Sequence, residues 1–258
     1  VNGIFYIGAT GLNAQQTAVD IVANNVTNMN TTAYKRGSVS FSELLAPAAP
    51  LPGITRSVSP EAGAAGVMVN PTLHDFTAAE LHATGNAMDL AIRGDGFIPL
   101  AKSSDGQSVL WRGGPLHVGT DGYLAAPDGQ PLEAMISVPR DSTGLTISPS
   151  GQVTATVPNQ TDPVEIGQID VVVPSDTSKL QSQGNGIYSL DESETSLSSG
   201  TPGVDGAGLL AQGYGEASNV QLSDELVNLM IFQRAYAANA RLVQVGDELM
   251  SIANGLKR

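Results

Sequence analysis

Two long stripes, one at each end of the chain, constrain the fold more than anything between them. From Ile4 the positions Ile4, Ile7, Gly11, Ala14, Ala18, Ile21, Asn25 and Asn28 recur in alternating steps of three and four. From Leu222 the same alternation picks out Leu222, Leu226, Leu229, Gln233, Tyr236, Ala240, Val243, Asp247 and Met250. That spacing keeps one side of a helix turned toward a partner. An amphipathic helix owes most of its stability to what that side packs on. Each terminal helix therefore needs the other one, or copies of it in neighbouring chains. The pattern predicts helix over residues 2–29 with Asn2 as its N-cap, ending in the cluster Asn24 to Thr32, whose side chains compete for the backbone. It predicts a second helix opened by Ser218 or Asn219. Asp224 and Glu225 in its early turns and Lys257 and Arg258 at its far end suit the helix dipole.

The middle reads as β-rich. Residues 39–45 look like a short strand or turn, Thr31 to Arg36 as extended, and Pro47 to Gly66 as a loop or arm rich in Ala, Pro and Gly. Asp95-Gly96, between Leu90-Ile92 and Phe97-Ile98, is a hairpin signal. From 101 to 190 strands alternate with turns, with candidates at Ser108–Trp111, Leu116–Val118, Leu132–Val138, Leu145–Ile147, Val153–Val157, Ile166–Val173 and Ile187–Ser189. Such spacing suggests a sandwich or barrel. Residues 191–206 read as an acidic, Ser-rich flexible stretch, and Gly208 to Tyr214 as a returning strand. The expected class is α+β: terminal helices paired as a coiled-coil-like module around a β-rich domain. The expected division is 1–36 with 215–258 for assembly, 37–84 as an extended connector arm, and 85–214 as an outer β domain.

Charge narrows the partners. Lys and Arg number 12 against 25 Asp and Glu, a formal balance of −13. A nucleic-acid binder needs a basic footprint, and so does attachment to anionic lipid. There is no cysteine, hence no disulfide framework and no thiol chemistry. No apolar run reaches the length of a membrane span, so direct membrane insertion is not expected. The N-terminal residues lack a basic start, a continuous apolar stretch and a small-residue cleavage site, so export would need no cleaved signal.

A catalytic centre is hard to assemble. His74, His82 and His117 are the imidazoles, at spacings unlike helical metal motifs, and read as solvent-exposed or loop residues. Gly94-Asp95-Gly96-Phe97 and Gly203 to Gly208 read as tight turns, not phosphate loops. No cofactor or metal is expected, and no enzyme. Asn24, Asn25, Asn28 and Asn30 admit two readings. They cap a frayed helix end, or they are buried amides that fix register at a helix seam, with Gln233 and Asp247 as counterparts. Trp111 is expected in the core.

The residues resemble a known family. Gly11-Leu12-Asn13-Ala14-Gln15-Gln16, Ala23-Asn24-Asn25-Val26-Thr27-Asn28 and Thr31-Thr32-Ala33-Tyr34-Lys35-Arg36 are similar to the N-terminal signature of the bacterial flagellar axial proteins. Thr27 stands where that pattern has Ala, and Ala33-Tyr34 where it has Gly-Phe. Ser218-Asn219-Val220, Glu225-Leu226-Val227-Asn228 and Gln233-Arg234-Ala235-Tyr236 with Asn239 are similar to its C-terminal signature. Thr84 to Ile92 with Gly94-Asp95-Gly96-Phe97 looks like the rod and hook subunits, and Thr201-Pro202-Gly203 with Gly206 to Leu210 and Gln212-Gly213-Tyr214 looks like those of the distal rod in particular. The chain departs from the pattern at Trp111-Arg112-Gly113-Gly114.

The resemblance implies a structural, non-enzymatic subunit of a hollow periplasmic drive shaft, which passes torque to the hook and forms the export channel. Both termini would line the channel as helices, with the β domain outward. Export would go through the flagellar type III apparatus. Partners would be copies of the chain in a helical tube, other rod subunits, the hook subunit and the surrounding L and P ring proteins. The self-assembly residues would be the stripe positions Ile4 to Ile21, Asn24, Asn25 and Asn28, and Leu222 to Val243. Alternatives are a proximal rod subunit, or an acidic β-domain binding module oligomerised by its helices.

Overall fold

A helix at each end and a β-rich middle make the chain α+β in the computed structural model, which describes residues 2–45, 64–70, 72–102, 106–158, 162–191 and 195–255. The chain divides into two compact units. One is Val1–Thr27, Gly37–Leu73 and Gln221–Arg258; the other is Asn28–Arg36 and His74–Val220.

In the first unit, α1 (Asn2–Thr27) and α2 (Leu222–Gly255) pack antiparallel. Residue numbers along the contact run in opposite directions: Ile4 and Phe5 meet Gly246, Gly8 meets Val243, and Gly11 meets Asn239. Glycine is required at the close crossing. A Cβ on Gly8 would lie 2.6 Å from Val243 Cγ2, and one on Gly11 2.7 Å from Asn239 Nδ2. Ala14, Ala18 and Val22 continue the buried side of α1. A third layer is the antiparallel pair Phe41–Leu45 and Ala64–Val69, in which Phe41 lies opposite Val69. It packs on α1 where Gly66 meets Thr10. Phe41 also meets Phe232 of α2 edge-on, centroids 6.3 Å apart. The loop expected over Pro47 to Gly66 lies outside the described residues up to Gly63, and its last residues belong to a strand.

Helix ends differ from the expectations in instructive ways. α1 begins at Asn2, so the cap position falls on Val1, outside the described residues. It ends at Thr27, where the Asn-rich turn takes over, with Thr31 N–H donating to Asn28 O at 3.0 Å. α2 begins at Leu222 because Asn219 is used elsewhere. Its amide accepts from Arg36 N–H at 2.7 Å and donates to Asp75 O at 2.7 Å. Gln221 O takes the first turn's N–H groups instead. Lys257 and Arg258 lie outside the described residues.

The second unit wraps several small antiparallel sheets around a shared core, in place of a sandwich or closed barrel. A four-stranded sheet orders Gln181–Gly184, Ile187–Leu190, Ser108–Trp111 and Ile98–Leu100. Three-stranded sheets join Leu209–Gln212, Asp89–Arg93 and Gly113–Pro115, and Gly144–Ile147, Gln152–Thr156 and Val164–Gln168. Leu90, Ile98, Trp111, Leu124, Val153 and Ile169 fill the main core. A second cluster stacks Phe76, Phe97 and Tyr188 edge to face. His74, expected to be solvent-exposed or in a loop, is half-buried beside it at the end of the short strand Leu73–His74, 5.8 Å from the Tyr188 ring. Leu132–Val138 forms turns and isolated bridges, although Leu132 and Ile136 are buried as a strand would bury them. Leu197–Gly200, expected to be flexible, pairs with Val171–Pro174.

The Asp95-Gly96 hairpin does not form. Asp89–Arg93 pairs with Gly113–Pro115 and Leu209–Gln212, while Ile98–Leu100 pairs with Ser108–Trp111. The turn thus crosses between two sheets, with Gly94 at φ +112° and Gly96 at φ +122°. Ala33 holds φ +58° although the signature has glycine there. The left-handed angle costs about 1–2 kcal/mol; burial of its methyl and the 2.8 Å bond from its N–H to Glu216 O help offset that.

Gln212 closes the free edge of the Gly144–Ile147 strand. Its amide accepts from Ile147 N–H at 2.9 Å and donates to Leu145 O at 2.9 Å, as a neighbouring strand's backbone would.

Gly113 sits at φ +124°, and a Cβ there would lie 2.6 Å from Leu90 O. Gly113→Ala is expected to cost about 1–3 kcal/mol or more, read as a lower denaturant midpoint for the β-rich unit.

Candidate assembly surface

α2 carries apolar residues on two faces. Toward α1 it turns Glu225, Phe232, Asn239, Val243, Gly246 and Met250, which are buried or half-buried. About 110° round the helix from that face lie Val227, Ile231, Leu242, Val245, Leu249 and Ile252, between 47% and 60% exposed. Both sets recur near the 3.6-residue helical period. A helix that is apolar on both sides is one designed to be covered on both.

The expected assembly residues divide between these faces. Gly11, Ala14, Ala18 and Asn25 of α1 are buried, Ile21 is half-buried, and so is Asn28 just beyond the helix. Ile4, Ile7 and Asn24 are exposed. In α2, Leu229, Ala240 and Val243 are half-buried, while Leu222, Leu226, Gln233 and Tyr236 are exposed. A stripe stepped by 3.5 drifts about 20° per heptad against a straight helix. Starting at Leu222, it therefore reaches the α1-facing side only in the second half of the helix.

Asn25 is the amide that fixes the helix pair. Its Nδ2 donates to Gly37 O at 2.8 Å and to Glu225 Oε2 at 3.1 Å, and its Oδ1 accepts from Gly37 N–H at 2.9 Å. Glu225 is fully buried. Gln233 and Asp247, the counterparts expected, are exposed. The antiparallel register explains this, since it sets residue 25 beside the first turn of α2. Glu225 stood within a recognised signature, but nothing in its spacing marked it as buried.

The β-rich unit holds a buried ionic cluster that spacing did not reveal. Glu216 Oε1 accepts from Lys35 Nζ at 2.7 Å, and its Oε2 from Arg112 Nε at 3.0 Å. Each of these side chains is about 1% exposed or less. Lys35 also donates to Thr77 O at 2.9 Å. The Arg112 guanidinium donates to Gly96 O and Gly94 O, both at 2.6 Å, and lies 5.7 Å from the Phe97 ring. Burial alone would raise the Glu216 carboxyl, but the two cations hold it below the ordinary carboxylate value. Burial pulls the Lys35 ammonium down, with Glu216 opposing. The cluster is anchored to backbone on every side, so it is a clasp and not a reactive site. It ties the segment that follows α1 to the strand Tyr214–Glu216, which precedes α2. The one visible hint was the departure from the family pattern at Arg112. Among the described residues no group of three or more His, Cys, Asp or Glu could hold a metal ion.

Comparison with known proteins agrees with these two helical ends. The family profile described as flagella basal body rod protein matches residues 5–35. The flagellar hook protein FlgE/F/G D1 domain profile matches residues 91–155. The flagellar basal body rod FlgEFG protein C-terminal profile matches residues 211–256. The flagellar basal-body rod protein FlgG of Agrobacterium fabrum is 32% identical over 254 residues, 96% of this chain and 97% of that protein. FlgG of Bacillus subtilis is 30% identical over 270 residues, 98% of each. The flagellar hook-basal body complex protein FlhP of Bacillus subtilis is 25% identical over 275 residues, 96% of this chain and 97% of that protein.

Glu216→Gln leaves two buried cations short of a counter-charge. It is expected to cost about 3–5 kcal/mol, measured by urea unfolding. Because the folded carboxyl titrates below its ordinary value of 4.5, its contribution is complete above that pH and is lost as pH falls through the folded value. The variant should lose that part of the acid limb in a pH series of melts.

Proposed function

This chain belongs to the flagellar basal-body rod protein family, and on that premise we propose that it is a distal-rod subunit whose terminal helices pack among further copies to build a hollow helical tube. It is a structural subunit of the basal body and not an enzyme. The distal assignment rests on full-length similarity to proteins named FlgG.

The observation that carries the tube is the second apolar face of α2. Within one subunit α1 covers one face, and Val227, Ile231, Leu242, Val245, Leu249 and Ile252 remain about half exposed or more. Covering them with a different surface of the next copy makes a head-to-tail contact, which generates an open helix when the rotation does not close. The helices then form coiled-coil-like seams. At about 25 cal/mol per Å², several hundred Å² of apolar surface would favour each addition by several kcal/mol before ordering costs.

In this reading the division is an inner layer of 1–36 with 215–258, a connector of 37–84 and an outer domain of 85–214, except that the strands Phe41–Leu45 and Ala64–Val69 of the expected connector pack on α1 and belong with the helices, and 28–36 belongs with the β-rich unit. The tube runs through the periplasm, meets other rod subunits, the hook subunit and the L and P ring proteins, and transmits torque. The subunit reaches that place by type III export. Among the described residues no helix is long and apolar enough to cross a membrane.

Leu242→Asp places a charge on the exposed face. It is expected to suppress tubes in negative-stain electron microscopy and sedimentation while the β-rich unit melts as in the wild type. Leu229→Asp, at a half-buried position of α2, should in addition loosen the packing of the helical unit, seen as lost helical circular dichroism. Undisturbed tubes from Leu242→Asp, or a wild-type chain that stays monomeric at high concentration, would overturn the reading.

A further inference from the structure

The helical unit contains an open groove of about 420 Å³ between α1, α2 and the pair of strands packed on them. Ile7, Phe41 and Val67 give it apolar walls, and Gln15, Glu43 and Asn239 supply its polar groups. Gln15 Oε1 is buried and has no hydrogen-bond donor among the described residues. A buried acceptor left so costs free energy until a donor arrives. Glu43 is exposed and places its carboxylate at the same groove. The occupant this chemistry asks for is cationic, rich in N–H donors, and apolar along its stem.

The same unit supplies one. Its described cations are Arg234 and Arg241, against Asp20, Glu43, Asp224, Glu225, Asp247 and Glu248. Both arginines are exposed and lie on the side of α2 turned away from α1. Arg234 has Met230, Ile231, Ala237 and Ala238 three and four residues away, so its immediate surroundings on the helix are apolar or small. Met230 and Ile231 are more than half exposed. Arginine offers a planar fork of donors on an apolar stem, where lysine offers a point charge.

We propose that this groove seats Arg234 of a second copy of the chain, its guanidinium donating to Gln15 Oε1 and to the Glu43 carboxylate while Met230 and Ile231 of that copy cover Ile7, Phe41 and Val67. The contact joins two different surfaces of one unit, so each copy offers both halves and addition continues head to tail. This rests on the reading that the chain polymerises, and names the residues through which it does so.

A charge exchange in the full-length chain tests the contact. Glu43→Arg and Arg234→Glu should each raise the critical concentration for tubes by about tenfold or more, and the two together in one chain should bring it back to within about threefold of wild type. Arg234→Lys should recover only part, since it keeps the charge and loses the fork. Arg241→Glu is the comparator and should shift assembly by no more than about twofold. The chain has no cysteine, so a short bis-maleimide should link Glu43→Cys chains to Arg234→Cys chains as dimers, and a chain with both changes as a ladder. Single reversals without effect, a double reversal that fails to recover, or recovery of Glu43→Arg by Arg241→Glu instead would overturn the contact. Those results leave wild-type tubes intact, whereas failure of the polymer reading is seen as a wild-type chain that makes none.

Discussion

Burying apolar surface on both sides of one helix is the requirement around which the rest is arranged. α1 supplies cover for one side of α2, and it can come close enough only because Gly8 and Gly11 carry no side chain. The pair of strands completes the other flank of α1, where Gly66 meets Thr10. None of these elements covers Leu242, Val245 or Ile252. The unit is therefore satisfied internally along one seam and unsatisfied along another, which is how a subunit stays folded and still adds to a polymer.

Polar groups then decide the register that apolar burial leaves open. Small residues at Ala14 and Ala18 would tolerate several offsets between the helices. Asn25 does not, because it must reach both Gly37 and Glu225. In the β-rich unit the Glu216 carboxylate plays a comparable part between Lys35 and Arg112. A buried ion cluster adds little net stability compared with apolar packing. Its geometry is nonetheless strict, and here it gathers the segment after α1 and the strand before α2 into one place.

Periodicity made the two helices, their lengths and the β-rich character of the middle readable. It also found Gly11, Ala14, Ala18 and Asn25, because α1 shows one face to the interior. In the first half of α2 it picked out Leu222, Leu226 and Tyr236, which are exposed within one subunit, because a helix with two apolar stripes lets a 3.5-residue template drift between them. Strand pairing was less legible than strand position. Asp95-Gly96 has the composition of a hairpin turn, yet Arg112 holds the carbonyls of Gly94 and Gly96 and the chain crosses to another sheet. Long-range partners of that kind, like Glu216 with Lys35, leave no local spacing to detect. The clearest trace in the sequence was an arginine where the family pattern has something else.

The Gln212 amide has a bearing on solubility. Unpaired strand margins invite other chains to add on, and crowding makes the invitation worse. By occupying the N–H of Ile147 and the carbonyl of Leu145, one side chain blocks that stretch against amyloid-like stacking. For the tube proposed above, that leaves the helices as the route of growth and keeps the sheets of crowded copies from fusing.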